Sequence, residues 1–159
     1  MTKRNVVTTD VPAVGEGKRG EQGHIGYLLR QAQTAHRRAM ERALSASGLT
    51  LPQFSVLTML AAYPGASGAD LARLSMLTPQ TVSVIVANLE RMGAVARTPH
   101  AVHGRVLQIA VTRVGRDLLK RCKASVRSID QALLESLSPV EGATIRRWLV
   151  RVAAEAEDR

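Results

Sequence analysis

The stretch Leu77-Thr78-Pro79-Gln80-Thr81-Val82-Ser83-Val84-Ile85-Val86-Ala87-Asn88-Leu89-Glu90-Arg91-Met92-Gly93 decides the fold. Threonine is a good N-cap, and proline suits the first helical position because its missing N–H would have no partner there. Val82, Ile85, Val86 and Leu89 follow at i, i+3, i+4 and i+7, a single apolar stripe. Gly93 suits the left-handed residue that closes a helix. The spacing predicts a helix of about fourteen residues, roughly 21 Å long. It buries one face and offers Gln80, Thr81, Ser83, Val84, Ala87 and Asn88 on the other.

Upstream, Ser67-Gly68-Ala69-Asp70 reads as a capping box opening a helix of about two turns, with Leu71, Ala72 and Leu74 inward. Before it, Thr50-Leu51-Pro52-Gln53 is another such box, followed by inward Phe54, Val56, Leu57 and Leu60 and stopped by Tyr63-Pro64-Gly65. Downstream the period changes to two. Leu107, Ile109 and Val111 alternate with Val106, Gln108 and Ala110, and Val95 with its neighbours can pair with them across a loop from Pro99 to Gly104. Two short helices joined by a tight turn, then a β-hairpin, make a winged helix-turn-helix spanning about 50–112. Helical periodicity also runs from His24 to Leu44, stopped by Gly48. Thr112 caps a long helix carrying Leu118, Cys122, Val126, Ile129 and Leu133. Ser138-Pro139-Val140-Glu141 is a third capping box, ahead of Ile145, Trp148, Leu149 and Val152. The expected class is mainly α with a small β-hairpin. Residues 1–22 lack periodicity and read as a flexible arm before a single domain over 23–159.

The chain has 159 residues and a formal charge of +9, a field that attracts polyanions. Arg91 to Arg127 holds nine basic residues and one acid, Asp117, which is +8 of that charge. No apolar run approaches the roughly 18 residues of a membrane span, and the N-terminal run has no apolar segment suited to a signal peptide. A cytoplasmic protein is expected. The single cysteine, Cys122, excludes an internal disulfide and a cysteine-based zinc cluster, and it reads as a small buried hydrophobe. His24, His36, His100 and His103 are scattered without metal-ligand spacing, and no cofactor is expected. Nor does a Ser/His/Asp set or a phosphate-cradling loop emerge to suggest an enzyme.

The reading helix fits a major groove roughly 12 Å wide. Gln and Asn can pair with adenine, and the methyl groups of Thr, Val and Ala suit thymine. Free N–H groups near Thr78–Thr81 can take a phosphate. The run quoted above, with Arg97, Arg105 and Thr112-Arg113-Val114-Gly115, resembles the MarR (multiple antibiotic resistance regulator) family from about His24 onward. The resemblance implies a homodimer, with helices at about 24–47, 113–134 and 139–157 interlocking with a partner chain. It implies a wing whose Asp-x-Arg motif sends the Arg into the minor groove. Arg105 matches that Arg, while His103 stands where the Asp would be, and Val84 stands where many members carry a basic residue. The expected DNA contacts are Ser67, Thr78, Pro79, Gln80, Thr81, Ser83, Val84, Asn88, Arg97, His103 and Arg105.

The resemblance further implies a ligand cleft lined by the first two helices, with Tyr27, Arg30, Gln31, His36, Met59 and Tyr63 as its members. Arg30 and His36 suit an anion, so the expected effector is an aromatic carboxylate or its thioester. The expected function is a repressor released from a pseudo-palindromic operator by that ligand. A nonspecific architectural DNA binder without a ligand is the alternative. A helical protein–protein adaptor is a third reading, which lack of a specific DNA footprint would favour.

Overall fold

The computed structural model describes residues 11–99 and 107–157. In chain order the elements are α1 (Ile25–Leu44), α2 (Leu51–Ala62), α3 (Gly68–Leu74), α4 (Pro79–Arg91), β1 (Val95–Pro99), β2 (Leu107–Val111), α5 (Arg113–Ala132) and α6 (Pro139–Glu157). Single 3-10 turns occupy Gly17–Arg19 and Ser45–Ser47. The chain divides into two compact units, Met1–Arg38 and Ala39–Arg159. No single described helix is long and apolar enough to cross a membrane.

The three capping boxes form as the local sequence dictates. Thr50 Oγ1 accepts from Gln53 N while Gln53 Oε1 accepts from Thr50 N. Ser67 and Asp70, and Ser138 and Glu141, exchange the same reciprocal bonds. These bonds satisfy N–H groups that a helix start leaves without partners. They hold the Asp70 carboxyl down to about 2, through the Ser67 hydroxyl first and the Arg73 guanidinium second. The Ser138 hydroxyl likewise lowers Glu141.

In the larger unit α4 packs on α2 and α3, and α2 also meets β2 and α5. The core is Leu44, Val56, Leu57, Leu60, Leu71, Val82, Val86 and Leu89, all fully buried, with Leu118 and Cys122 from α5. Each such aliphatic side chain is worth about 1.5–3 kcal/mol of transfer free energy. β1 and β2 pair antiparallel, with Val95 opposite Val111 and Arg97 opposite Ile109.

Two helix ends use the same 6→1 closure. Leu77 N–H donates to Ala72 O at 2.9 Å, and Ala94 N–H donates to Leu89 O at 2.9 Å. Each closure needs a left-handed residue one position earlier. Gly93 supplies it at φ 69°, but Met76 must adopt φ 55° as a non-glycine. The second closure leads straight into the wing, where the Ala94 carbonyl accepts from Thr112 N–H at 3.0 Å. Thr112 Oγ1 donates to Gly93 O at 2.5 Å and accepts from Gly115 N–H at 3.2 Å. A Cβ at position 115 would stand 2.2 Å from Ala94 O, so only glycine fits where α5 starts.

The smaller unit holds the N-terminal segment and most of α1. Residues 11–22, read as a flexible arm, turn back on themselves rather than extend. Ala13 N–H donates to Glu16 Oε2, Gly15 N–H donates to Arg19 O, and the Arg19 guanidinium donates to Pro12 O at 2.8 Å. Gln31 Nε2 on α1 donates to Arg19 O at 3.0 Å. No apolar stripe announces this segment, because backbone carbonyls and a glycine-rich turn hold it.

Candidate functional site

The inward face of α4 is Val82, Ile85, Val86 and Leu89, all buried. At 100° per residue the ridge opposite is Gln80, Val84, Ala87 and Arg91, with Ser83 and Thr81 at its edges. All six are exposed, and Val84, at its centre, is 59% exposed. A thirteen-residue helix is about 20 Å long. It therefore presents a small, mostly uncharged face of a size suited to a groove.

The helix start is more fully used than the sequence suggests. Thr78 Oγ1 accepts from Thr81 N–H at 3.2 Å and lies 2.8 Å from Thr81 Oγ1. Val82 N–H goes to Thr78 O, and Pro79 has no N–H. Gln80 N–H is thus the first-turn donor left for a phosphate. Asn88, expected on the reading face, is half-buried at its flank, where its Oδ1 accepts from the Arg91 guanidinium. This i, i+3 bond takes one of the two acceptor positions of the amide oxygen and turns it toward Arg91.

Arg97 on β1 donates from Nε to Glu90 Oε1 on α4 at 3.0 Å. The pair ties the wing to the reading helix, a role that seven residues of separation across a turn did not signal. Ser67 is exposed at the start of α3, its hydroxyl donating to Asp70 Oδ2 at 2.6 Å. His103 and Arg105 lie outside the described residues. On α5, Arg113, Arg116, Lys120, Lys123 and Arg127 are all exposed at spacings of three and four, which places them along one face.

Of the expected ligand residues, Tyr27, Arg30 and Gln31 come together. They line a cleft of about 320 Å³ whose walls include Val14, Arg19 and Arg38. His36 is nine residues from Tyr27 and therefore across the helix from it. It is half-buried, and its Nδ1 has no partner among the described residues. Met59 packs half-buried against the core. Tyr63 is exposed beside another hollow, about 610 Å³, with Pro64, Asp70 and Arg73. Arg19 and Arg38 escaped the sequence reading because the first sits in the segment read as an arm and the second lies outside the apolar pattern of α1. Among the described residues no group of three or more His, Cys, Asp or Glu is placed to hold a metal ion.

Comparison with known proteins agrees with this geometry. The MarR family model matches residues 47–106, from before α2 into the wing. The HTH-type transcriptional repressor Rv2887 of Mycobacterium tuberculosis is 39% identical over 131 residues, covering 82% of this chain and 94% of the relative. Its crystal structure with salicylic acid superposes with a TM-score of 0.67 at 39% identity, covering 83% of this chain and 98% of the other. Its complex with DNA gives 0.64 at 37% identity, covering 81% and 97%. CouR from Rhodococcus jostii, bound to p-coumaroyl-CoA, gives 0.76 at 28% identity, covering 83% and 93%. A wing braced on a reading helix, a matching family model and a relative aligned over nearly its whole length lead to one conclusion: the chain belongs to the MarR family of helix-turn-helix transcriptional regulators, DNA-binding proteins rather than enzymes.

Proposed function

We propose that this chain is a homodimeric repressor whose two α4 helices read a pseudo-palindromic operator, and that an aromatic acid or acyl thioester bound beside α1 releases it. The observation that carries the reading is the two-faced α4: a buried stripe of Val82, Ile85, Val86 and Leu89 under an exposed ridge of Gln80, Val84 and Ala87. Gln80 offers an amide for adenine, and Val84 and Ala87 offer methyl groups for thymine. Gln80 N–H and the exposed Thr78–Thr81 turn serve phosphate positioning. Arg97 holds the wing through Glu90, and Arg105 enters the minor groove with His103 in place of the family's acid.

Dimerisation is supported by what one protomer leaves uncovered. Ile145, Leu149 and Val152 on α6 and Leu133 beyond α5 are exposed, a helical stripe that one chain does not bury. A dimer sets two reading helices about 34–36 Å apart, the spacing of successive major grooves. In the α1 cleft Arg30 pairs with the ligand's anionic group and Tyr27 holds its ring; His36, Met59 and Tyr63 are not needed there. The ligand acts by favouring a dimer with mis-spaced helices. Moving a nearly saturated complex to nearly free takes about 5.5 kcal/mol, so two sites need supply about half each.

The test is a thermal-shift screen of aromatic acids and their thioesters, followed by operator release. A hit should stabilise the protein and lower its DNA affinity, and Arg30→Ala should blunt both effects. Ligands that bind and leave operator affinity unchanged would overturn the regulatory reading.

A further inference from the structure

We infer that segment 13–23 and α1 together build a site for a phosphate-bearing ligand, gripped by Arg19, Arg30 and Arg38. The inference rests on the α1 cleft being the effector site, and it narrows the effector to one carrying more than a single negative charge.

Arg30 and Arg38 stand eight residues apart along α1, on neighbouring ridges two turns apart. Arg19 joins them from the turned segment, which is fixed from both ends of the residue. Its carbonyl accepts from Gln31 Nε2 at 3.0 Å, and its guanidinium donates to Pro12 O at 2.8 Å. All three arginines line the same cleft of about 320 Å³, and no carboxylate lines it among the described residues. Neither the Arg30 nor the Arg38 guanidinium meets an acceptor among the described residues. Three permanent cations around one small space repel each other unless an anion sits between them. A carboxylate is satisfied by the two parallel N–H groups of one guanidinium, which would leave two more cations facing it. A phosphate or pyrophosphate presents more oxygens and more charge, and can engage all three. The Tyr27 ring in the same wall supplies an apolar face for an aryl group or a base. An acyl thioester with a nucleotide tail combines both features.

The experiment is calorimetric titration of the full chain, without DNA, using inorganic pyrophosphate, benzoate and benzoyl-coenzyme A. Pyrophosphate should bind the wild type. Arg19→Ala and Arg38→Ala should each weaken it about tenfold, the worth of one charge-assisted hydrogen bond. Lys123→Ala, on the exposed face of α5, should leave it unchanged. Benzoyl-coenzyme A should bind more tightly than benzoate, and that margin should shrink in the same two variants. The Arg38 side chain makes none of the bonds that hold the segment, so its variant separates ligand contact from folding. Pyrophosphate affinity that is unchanged in both arginine variants, or that falls equally in Lys123→Ala, overturns the inference. If benzoate releases the operator while pyrophosphate does not bind, the regulatory reading stands and this inference falls. If pyrophosphate binds through the arginines and no ligand releases DNA, this inference stands and the regulatory reading falls.

Discussion

Replacing Gly115 by alanine sets two effects of opposite sign against each other. Gly115 lies in the first turn of α5, and helix propensity alone favours alanine there by about 1 kcal/mol. The structure argues the reverse. The new Cβ would sit 2.2 Å from the Ala94 carbonyl oxygen and 2.8 Å from Val111 Cγ1. Relief needs about 1 Å of separation between well-packed segments, at the scale where overpacking costs about 1–3 kcal/mol. The same movement strains the Thr112 N–H bond to Ala94 O and the Thr112 cap on Gly115 N–H. Losing that cap costs about 1 kcal/mol more. The net expectation is destabilisation by about 2 kcal/mol, or roughly 5 °C in Tm for a chain of this size. Urea denaturation of wild type and variant at one protein concentration gives the number, and operator binding should weaken because the wing is rooted at this point. A Gly115→Ala variant as stable as the wild type would refute the close approach as the reason for the glycine.

Three further outcomes are expected. Met76 holds φ 55° and is 91% exposed, so Met76→Gly should relieve left-handed strain without losing a packed side chain; thermal melting should rise by a few degrees, about 1 kcal/mol. Asp70 has its folded pKa lowered from 3.8 to about 2, so the α3 cap is at full strength above about pH 4 and is lost as pH falls through about 2; a carboxyl resonance titrating at an ordinary value in the folded protein would contradict it. Gln80→Ala should cost about 1–3 kcal/mol at the operator and less on random DNA, whereas Arg105→Ala should flatten the salt dependence of binding by about one unit or less; fluorescence anisotropy across a salt series reads both.

What the sequence disclosed was whatever a few neighbouring residues determine. The boxes at Thr50, Ser67 and Ser138 are complete within four residues, and each formed. The α4 stripe is complete within eight. Gly115 was visible as part of a Thr-x-x-Gly pattern, but its reason is a carbonyl twenty-one residues earlier, at Ala94. The Arg97–Glu90 pair depends on how the wing folds back, and neither residue alone marks it. Met76 gave no sign of a left-handed turn because its conformation is imposed by the closure onto Ala72. The residues expected to hold a ligand divided for a legible reason: nine positions on a helix turn Tyr27 and His36 to opposite sides. Arg19 reached the cleft through backbone bonds, which carry no side-chain signature.

The most direct test of operator reading is selection of binding sites from a random pool of duplex DNA with the full chain. A homodimer using α4 should enrich an inverted repeat whose half-site centres lie about 10–10.5 base pairs apart, or a multiple of that. The enriched duplex should bind at least about 10³-fold more tightly than its scrambled version at the same salt concentration. A pool that returns no repeat, with selected and scrambled DNA bound equally, would contradict the account.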